Sequence, residues 1–173
     1  MTMMLFNVTA ELTGLAHIEP VGKDWTDPSH AYNIKLQCER CGWCTRDFVR
    51  LCMEEPRRWR KKGIDHIICE CADCGRRGAI GIRRQMGVPL RSGVETTVML
   101  LECDGLVPLD GEVGTEFQWT AVSEADGRES DPFDMVLGAE LDWKPMQEEG
   151  VHMGGDVEAH VDSFVATFSR ARV

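Results

Sequence analysis

Three cysteines stand at regular intervals in the stretch LQCERCGWCTRDF, as Cys38, Cys41 and Cys44. Any two neighbours among them form a C-x-x-C pair, a spacing that can bind zinc through two thiolates. A second pair, Cys71 and Cys74, lies in CADCG. Only Cys38–Cys41 and Cys71–Cys74 share a following glycine, which can adopt positive φ and let backbone N–H groups point at sulfur. The shared C-x-x-C-G pattern predicts that these four cysteines bind one structural Zn²⁺.

Two alternatives remain open for the cysteine pairs. In the first, Cys44 replaces Cys38 as a ligand, although the shifted pair is followed by Thr45 rather than glycine. In the second, a C-x-x-C pair is a redox motif, but thioredoxin-like motifs lie in an α/β pattern that this sequence lacks. The cysteines outside the two pairs are interpreted as reduced side chains, several of them buried: Cys44, Cys52, Cys69 and Cys103.

The segments around the cysteines alternate apolar and polar residues, which is the period of a β-strand. Two such faces are formed by Phe6, Val8, Ala10 and Leu12, and by Tyr32, Ile34 and Leu36. Further strands are predicted at 66–69, 79–82, 94–103, 116–122, 135–143 and 161–168. One short helix is predicted over EEPRRWRKK, residues 54–62, with Pro56 in its first turn and Gly63 as its cap. The pattern indicates an all-β, β-rich protein with one short basic helix.

A short echo within the sequence indicates two related halves. AELTGL at 10–15 and LECDGL at 101–106 are each followed by a proline and a glycine. Chance is the alternative explanation for so short a match. We predict two similar β-sandwich-like halves packed as one compact unit, residues 1–92 with the zinc knuckles and residues 93–173. The segment RRQMGVPLRSG at 83–93 is the predicted linker.

Charge restricts the partners that the protein could bind. The 173 residues carry a formal net charge of −10, which disfavours general nucleic-acid binding and attraction to an anionic membrane. Residues 46–84 nevertheless contain eleven Lys or Arg against six acids, whereas residues 102–162 contain seventeen acids against two basic residues. The first residues, MTMMLFNVTAELTGL, include no basic residue, so we expect no secretory signal. A cytoplasmic or nuclear protein with reduced thiols is expected.

Several stretches resemble one known family. They are LTGLAHIEPVGKDW, YNIKLQCERCG, CADCGRRGAIGI, LECDGLVPLDGEVGTEF and LDWKPM, in order along most of the chain. These stretches are similar to the eukaryotic CXXC-motif-containing zinc-binding proteins. The resemblance implies a β-rich fold of two similar halves and one zinc, held by Cys38, Cys41, Cys71 and Cys74. It brings no established catalytic activity.

No catalytic motif accompanies the cysteines. The sequence contains no G-x-S-x-G, Walker loop, dinucleotide fingerprint or H-E-x-x-H. We therefore predict a non-enzymatic zinc-binding scaffold or adaptor. One alternative is a metal-handling or thiol-redox protein that uses the spare thiols Cys44 and Cys69. Another is a nucleic-acid-binding zinc module, which the net charge disfavours.

A protein partner is expected to bind the basic segment at 57–62 together with the tips of the two knuckles. The alternative is that the acidic half of the chain offsets this positive charge. The sequence predicts no oligomeric state.

Overall fold

The computed structural model describes residues 1–53, 64–86, 89–112, 116–143 and 158–172. These residues form ten strands: β1 (Thr2–Thr13), β2 (Leu15–Pro20), β3 (Ala31–Cys38), β4 (Val49–Cys52), β5 (Ile67–Glu70), β6 (Arg77–Gln85), β7 (Thr96–Asp104), β8 (Leu106–Glu112), β9 (Trp119–Ser123) and β10 (His160–Arg170). The described residues contain no helix, and therefore none long and apolar enough to cross a membrane. The all-β prediction is confirmed. The helix predicted at 54–62 lies outside the described residues, so it is not confirmed.

The strands are arranged in three antiparallel sheets. The largest has the order β10-β1-β7-β6-β5, a second has the order β4-β3-β8, and β2 pairs with β9. Each sheet combines strands from before and after residue 92. The division into halves at that residue stays a prediction.

Alternation along the strands builds the core between the sheets. Phe6, Val8 and Ala10 on β1 are fully buried, as are Ile34 and Leu36 on β3. Alternate residues of a strand point to the same face, so each of these rows faces the core. Between them, Thr9 and Lys35 are half-buried, whereas Asn7 is buried as well. The two apolar faces predicted from the sequence are confirmed, with Leu12 and Tyr32 also packed in or against the core.

An aromatic cluster lies at the centre of this core. Trp119 on β9 is fully buried, and its ring centroid lies 5.4 Å from Trp25, 5.1 Å from Phe117 and 5.1 Å from Phe164. Edge-to-face and tilted pairs at such distances are favourable because of the quadrupole of the rings. The cluster joins β9, β10 and two connecting segments through one side chain.

The two copies of the sequence echo occupy equivalent corners. Gly14, with φ 69°, separates β1 from β2, and Gly105, with φ 77°, separates β7 from β8. At both corners the chain leaves the five-stranded sheet and enters a smaller one. The corner at Gly105 places Leu106 opposite Cys38 in the pairing of β8 with β3. This corner therefore supports the end of the strand that carries the first knuckle.

One predicted strand is wrong. Residues 135–143 form no named strand, and a turn with Gly138 at φ 78° interrupts them. The N–H groups of Gly138 and Leu141 donate to Val161 at 2.9 Å and Ala159 at 3.2 Å. The segment thus contacts Ala159, just before β10, and Val161, the second residue of β10, through separate hydrogen bonds. The positive-φ turn breaks the regular extension that a ladder requires.

Candidate metal centre

Each C-x-x-C pair forms a knuckle at the end of a strand. Cys38 is the last residue of β3, and Cys71 directly follows β5. In the first knuckle the N–H of Gly42 donates to the carbonyl of Cys38 at 2.9 Å. In the second the N–H of Gly75 donates to the carbonyl of Cys71, also at 2.9 Å. The two sequence motifs therefore fold into the same local structure.

The glycine that follows each pair has the predicted backbone conformation. Gly42 has φ 80° and Gly75 has φ 73°, a region that residues with a side chain rarely adopt. A Cβ atom at either position would meet nothing within 4 Å, so backbone conformation rather than space calls for glycine here. The prediction of positive φ at both knuckles is confirmed.

A further backbone bond closes each knuckle. Cys38 donates its N–H to the carbonyl of Trp43 at 2.7 Å, and Cys71 donates to that of Arg76 at 2.9 Å. The chain thus turns back on itself directly after each glycine. Trp43 is partly buried against the core.

The two knuckles bring the four predicted cysteines together. Their sulfur atoms all lie within 4.8 Å of one another, with 3.8 Å between the Sγ atoms of Cys38 and Cys74 and 3.4 Å between those of Cys41 and Cys71. Tetrahedral zinc with Zn–S bonds of about 2.3 Å separates its sulfur ligands by about 3.8 Å. Thiolate sulfur is also a preferred donor for zinc. Both the geometry and the chemistry of the site fit Zn²⁺.

Backbone N–H groups stabilise the thiolate form of Cys38. The N–H groups of Cys41 and Arg40 donate to the sulfur of Cys38, and they outweigh burial and lower the pKa of Cys38 to about 7. At the second knuckle the N–H of Cys74 donates to the Sγ of Cys71 at 3.4 Å. Such donors stabilise negative charge on sulfur.

The closeness of the four sulfurs opposes the ionisation of Cys41 once Cys38 is a thiolate. The N–H of Trp43 lowers the pKa of Cys41, but the thiol of Cys71, burial and the thiols of Cys38 and Cys74 outweigh it and raise that pKa to about 12. Four adjacent sulfurs can all be thiolates only when a cation offsets their charge. A divalent metal supplies that charge.

The corner between β7 and β8 holds both knuckles. The carbonyl of Gly105 accepts a hydrogen bond from the N–H of Glu39 at 3.1 Å. Next to it, Asp104 lies 4.0 Å from the guanidinium of Arg76 in the second knuckle. The corner residues Asp104 and Gly105 were not identified as part of the site from the sequence. The available signal was LECDGL, whose similarity to AELTGL indicated a shared turn shape without indicating what the turn contacts.

The two spare thiols lie outside the sulfur cluster. The Sγ of exposed Cys44 is 3.5 Å from the carbonyl of Gly42, and the Sγ of Cys69 is 3.7 Å from that of Glu70. Burial raises the pKa of Cys69. The structure therefore groups Cys38, not Cys44, with the other three sulfurs.

His66 is near the second knuckle in sequence but is not part of the sulfur cluster. Its Nδ1 accepts a hydrogen bond from the N–H of Ile82 at 3.0 Å, and its side chain is buried. Burial, and then the charge of Arg83, lower its pKa. His66 thus joins the loop before β5 to β6.

Comparisons with known proteins agree with the site. The model of the family described as CXXC motif containing zinc binding protein, eukaryotic, matches residues 5–153. The crystal structure of C1orf123 is similar, with a TM-score of 0.68 and 17% identity, covering 98% of this chain and 99% of that one. A hypothetical protein from Plasmodium falciparum has a TM-score of 0.66 and 10% identity, covering 98% and 100%. At these identities the two structures show the fold alone. No curated protein matches the sequence.

Proposed function

Because the chain belongs to the eukaryotic family of CXXC motif containing zinc binding proteins, we propose that Cys38, Cys41, Cys71 and Cys74 bind one structural Zn²⁺ in a non-enzymatic scaffold or adaptor. The observation that carries the proposal is the cluster of four sulfurs within 4.8 Å of one another. Four thiolates fill the coordination of tetrahedral zinc, whereas catalytic zinc keeps a position open for water or substrate. The site is therefore suited to holding the protein together.

The placement of the knuckles explains what a structural zinc would stabilise. The first knuckle ends β3 in the three-stranded sheet, and the second follows β5 at an edge of the five-stranded sheet. β5 is short and pairs only with β6 among the described strands. One metal bound to both knuckles would join two sheets and hold an edge strand in place.

The alternative function is metal handling or thiol-redox chemistry. Two ligand cysteines, Cys41 and Cys74, are exposed, and the exposed Cys44 lies three residues after Cys41. An exchangeable site would use such access to pass the metal to another thiol. The buried Cys38 and Cys71 and the N–H groups that donate to their sulfurs favour a site that retains its metal.

A combined chelator and thiol assay distinguishes these functions. The native zinc-loaded protein is expected to keep its metal in the presence of a moderate chelator, while a thiol reagent modifies Cys44 first. The matched variant Cys44→Ser should lose that rapid reaction and keep the same zinc content. Rapid loss of zinc together with early modification of Cys41 or Cys74 would favour metal handling over a scaffold.

The adaptor part of the proposal depends on a partner surface. The basic segment at 57–62 lies outside the described residues, so its role as a contact surface stays a prediction. The knuckle tips carry Arg40 and Arg76, which are exposed. Positive charge at this place would attract an acidic protein in a salt-dependent way.

A further inference from the structure

β10 forms one edge of the five-stranded sheet. It has eleven residues and pairs with β1 on one side, and no described strand pairs with its other side. Among the described residues, backbone hydrogen bonds reach this side only at its first part, where Gly138 donates to the carbonyl of Val161. The stretch SFVATFSR at 163–170 contains no proline or lysine, the residues that commonly protect an edge strand from pairing. The edge is therefore suited to accepting another strand.

The register with β1 determines which backbone groups point outward. Arg170 lies opposite Met4, and the N–H of Ala171 donates to the carbonyl of Met3 at 2.9 Å. Since hydrogen bonding alternates along an antiparallel strand, the odd-numbered residues 163–171 bond to β1. The N–H and carbonyl groups of Phe164, Ala166 and Phe168 point to the free edge.

We propose that this edge pairs antiparallel with β10 of a second copy of the chain, about a two-fold axis at Ala166. In this register Ala166 faces Ala166 of the second copy, and Phe164 faces Phe168. All of these residues direct their backbone groups outward, so the two edges exchange hydrogen bonds without disturbing the pairing with β1. The self-complementary arrangement is that of an isologous dimer interface.

Several registers are compatible with the alternating outward hydrogen-bonding groups of β10, and charge favours the one with the axis at Ala166. With the axis at Ala166, Arg170 of the second copy comes to the level of Asp162, the extra residue of a β-bulge between Val161 and Ser163, and symmetry repeats the contact. A shift of the axis to residue 165 would place Phe168 opposite Asp162. A shift to residue 167 would place Phe164 opposite Arg170 and would pair Asp162 only with Arg172, which lies beyond the end of β10. Opposite charges across two strands are favourable, whereas a charge against an aromatic ring loses that gain.

The two charged side chains are available for this contact. Asp162 accepts a hydrogen bond from Thr13 Oγ1 at 2.6 Å and lies 2.7 Å from His160 Nε2, but its side chain is still 43% exposed. These contacts fix the orientation of the carboxylate between β1 and β10. Arg170 is exposed and forms no ion pair with another described residue.

The side chains between the charges are also complementary. Val165, which is 52% exposed, would lie opposite Thr167 of the second copy, a pair of β-branched residues that suits adjacent strands. On the other face, Phe164 and Phe168 are only partly buried against the core. Each would gain an aromatic neighbour across the axis.

Analytical ultracentrifugation of the zinc-loaded full chain tests the proposal. The protein is expected to form a reversible dimer as its concentration rises from the low to the high micromolar range. Arg170→Glu should raise the dimer dissociation constant roughly tenfold, because it replaces two attractive pairs by repulsions. The matched control Arg172→Glu makes the same charge change beyond the strand and should leave that constant unchanged.

A second variant tests the backbone pairing. Ala166→Pro removes an outward N–H without removing a hydrogen bond to β1, so it should yield a folded monomer. A wild-type protein that stays monomeric throughout the concentration range overturns the proposal. So does a dimer that Arg170→Glu leaves intact, since it must form elsewhere. If Ala166→Pro loses zinc or the native circular dichroism spectrum, the variant is misfolded. The comparison of Arg170→Glu with Arg172→Glu then decides whether the dimer forms through β10.

Discussion

Replacing Cys41 by serine is expected to release zinc and loosen residues 38–82, while the rest of the sheet structure stays folded. Loss of a group that only supports a metal ligand weakens binding by about 10- to 100-fold, and loss of a ligand should weaken it more. In small zinc peptides the metal supplies folding free energy on the order of 10 kcal/mol. The part of the chain that zinc joins should therefore lose most of its stability.

The expected unfolding is partial because other strands have their own core. β1 pairs with both β7 and β10, and Phe6, Val8 and Ala10 on β1 are buried far from the knuckles in sequence. The second knuckle, in contrast, depends on short β5. Zinc analysis together with far-UV circular dichroism measures both effects, and native-state hydrogen exchange locates the loosened segment.

Cys44→Ser is the matched control for this experiment. It makes the same chemical change three residues away, at an exposed sulfur outside the cluster. It should retain zinc and the native spectrum. If Cys44→Ser loses zinc while Cys41→Ser keeps it, the ligand assignment is wrong; if Cys41→Ser loses all β signal, zinc organises the whole fold.

Trp119→Ala is expected to destabilise the protein by about 3–5 kcal/mol, the range for removing a large aromatic side chain from a core. Trp119 is fully buried and contacts Trp25, Phe117 and Phe164. Its removal leaves a cavity that these stiff rings cannot readily fill. For a chain of this length the loss corresponds to a fall in melting temperature of roughly 10 °C.

Trp143→Ala provides the comparison for this prediction. Trp143 is partly buried and lies under the guanidinium of Arg128, 5.5 Å from the ring centroid. Its loss should cost about 1 kcal/mol, since an exposed cation–π contact contributes little. Denaturant unfolding followed by circular dichroism measures both variants. Equal destabilisation by the two substitutions would show that the cluster around Trp119 is not the centre of the core.

Regular alternation made most of the large sheet predictable. The apolar rows on β1 and β3 and the strands at β5, β6, β7 and β10 follow from a two-residue period. β8 was not predicted because Pro108 and Gly111 interrupt its pattern. The structure tolerates Pro108 because β8 is an edge strand and Pro108 lies next to a register shift opposite Leu36.

Tertiary contacts determine the elements that the pattern did not reveal. β4 has only four residues, and its position depends on pairing with β3, where Ala31 faces Cys52. Residues 135–143 have the alternation of a strand but follow β10 through isolated hydrogen bonds. A two-residue alternation in the sequence indicates which face of a segment is apolar. It does not indicate whether a neighbouring strand is available for pairing.

The clustering of the four cysteines was predictable because it depends on local structure. Each C-x-x-C-G motif forms its own turn, so the following glycine favoured Cys38 over Cys44. The supporting corner at Asp104 and Gly105 comes from a distant part of the chain. Its contact with the knuckles depends on the topology of the sheets, which the spacing of cysteines does not specify.

X-ray absorption at the zinc edge of the native protein, combined with metal analysis, determines both the ligands of the metal and the number of ions bound. We expect one Zn²⁺ per chain with four sulfur neighbours at about 2.3 Å. The Cys44→Ser variant should give the same spectrum. A nitrogen or oxygen ligand in place of a sulfur, a spectrum that changes with Cys44→Ser, or carefully prepared protein without bound metal would contradict a closed structural site formed by Cys38, Cys41, Cys71 and Cys74.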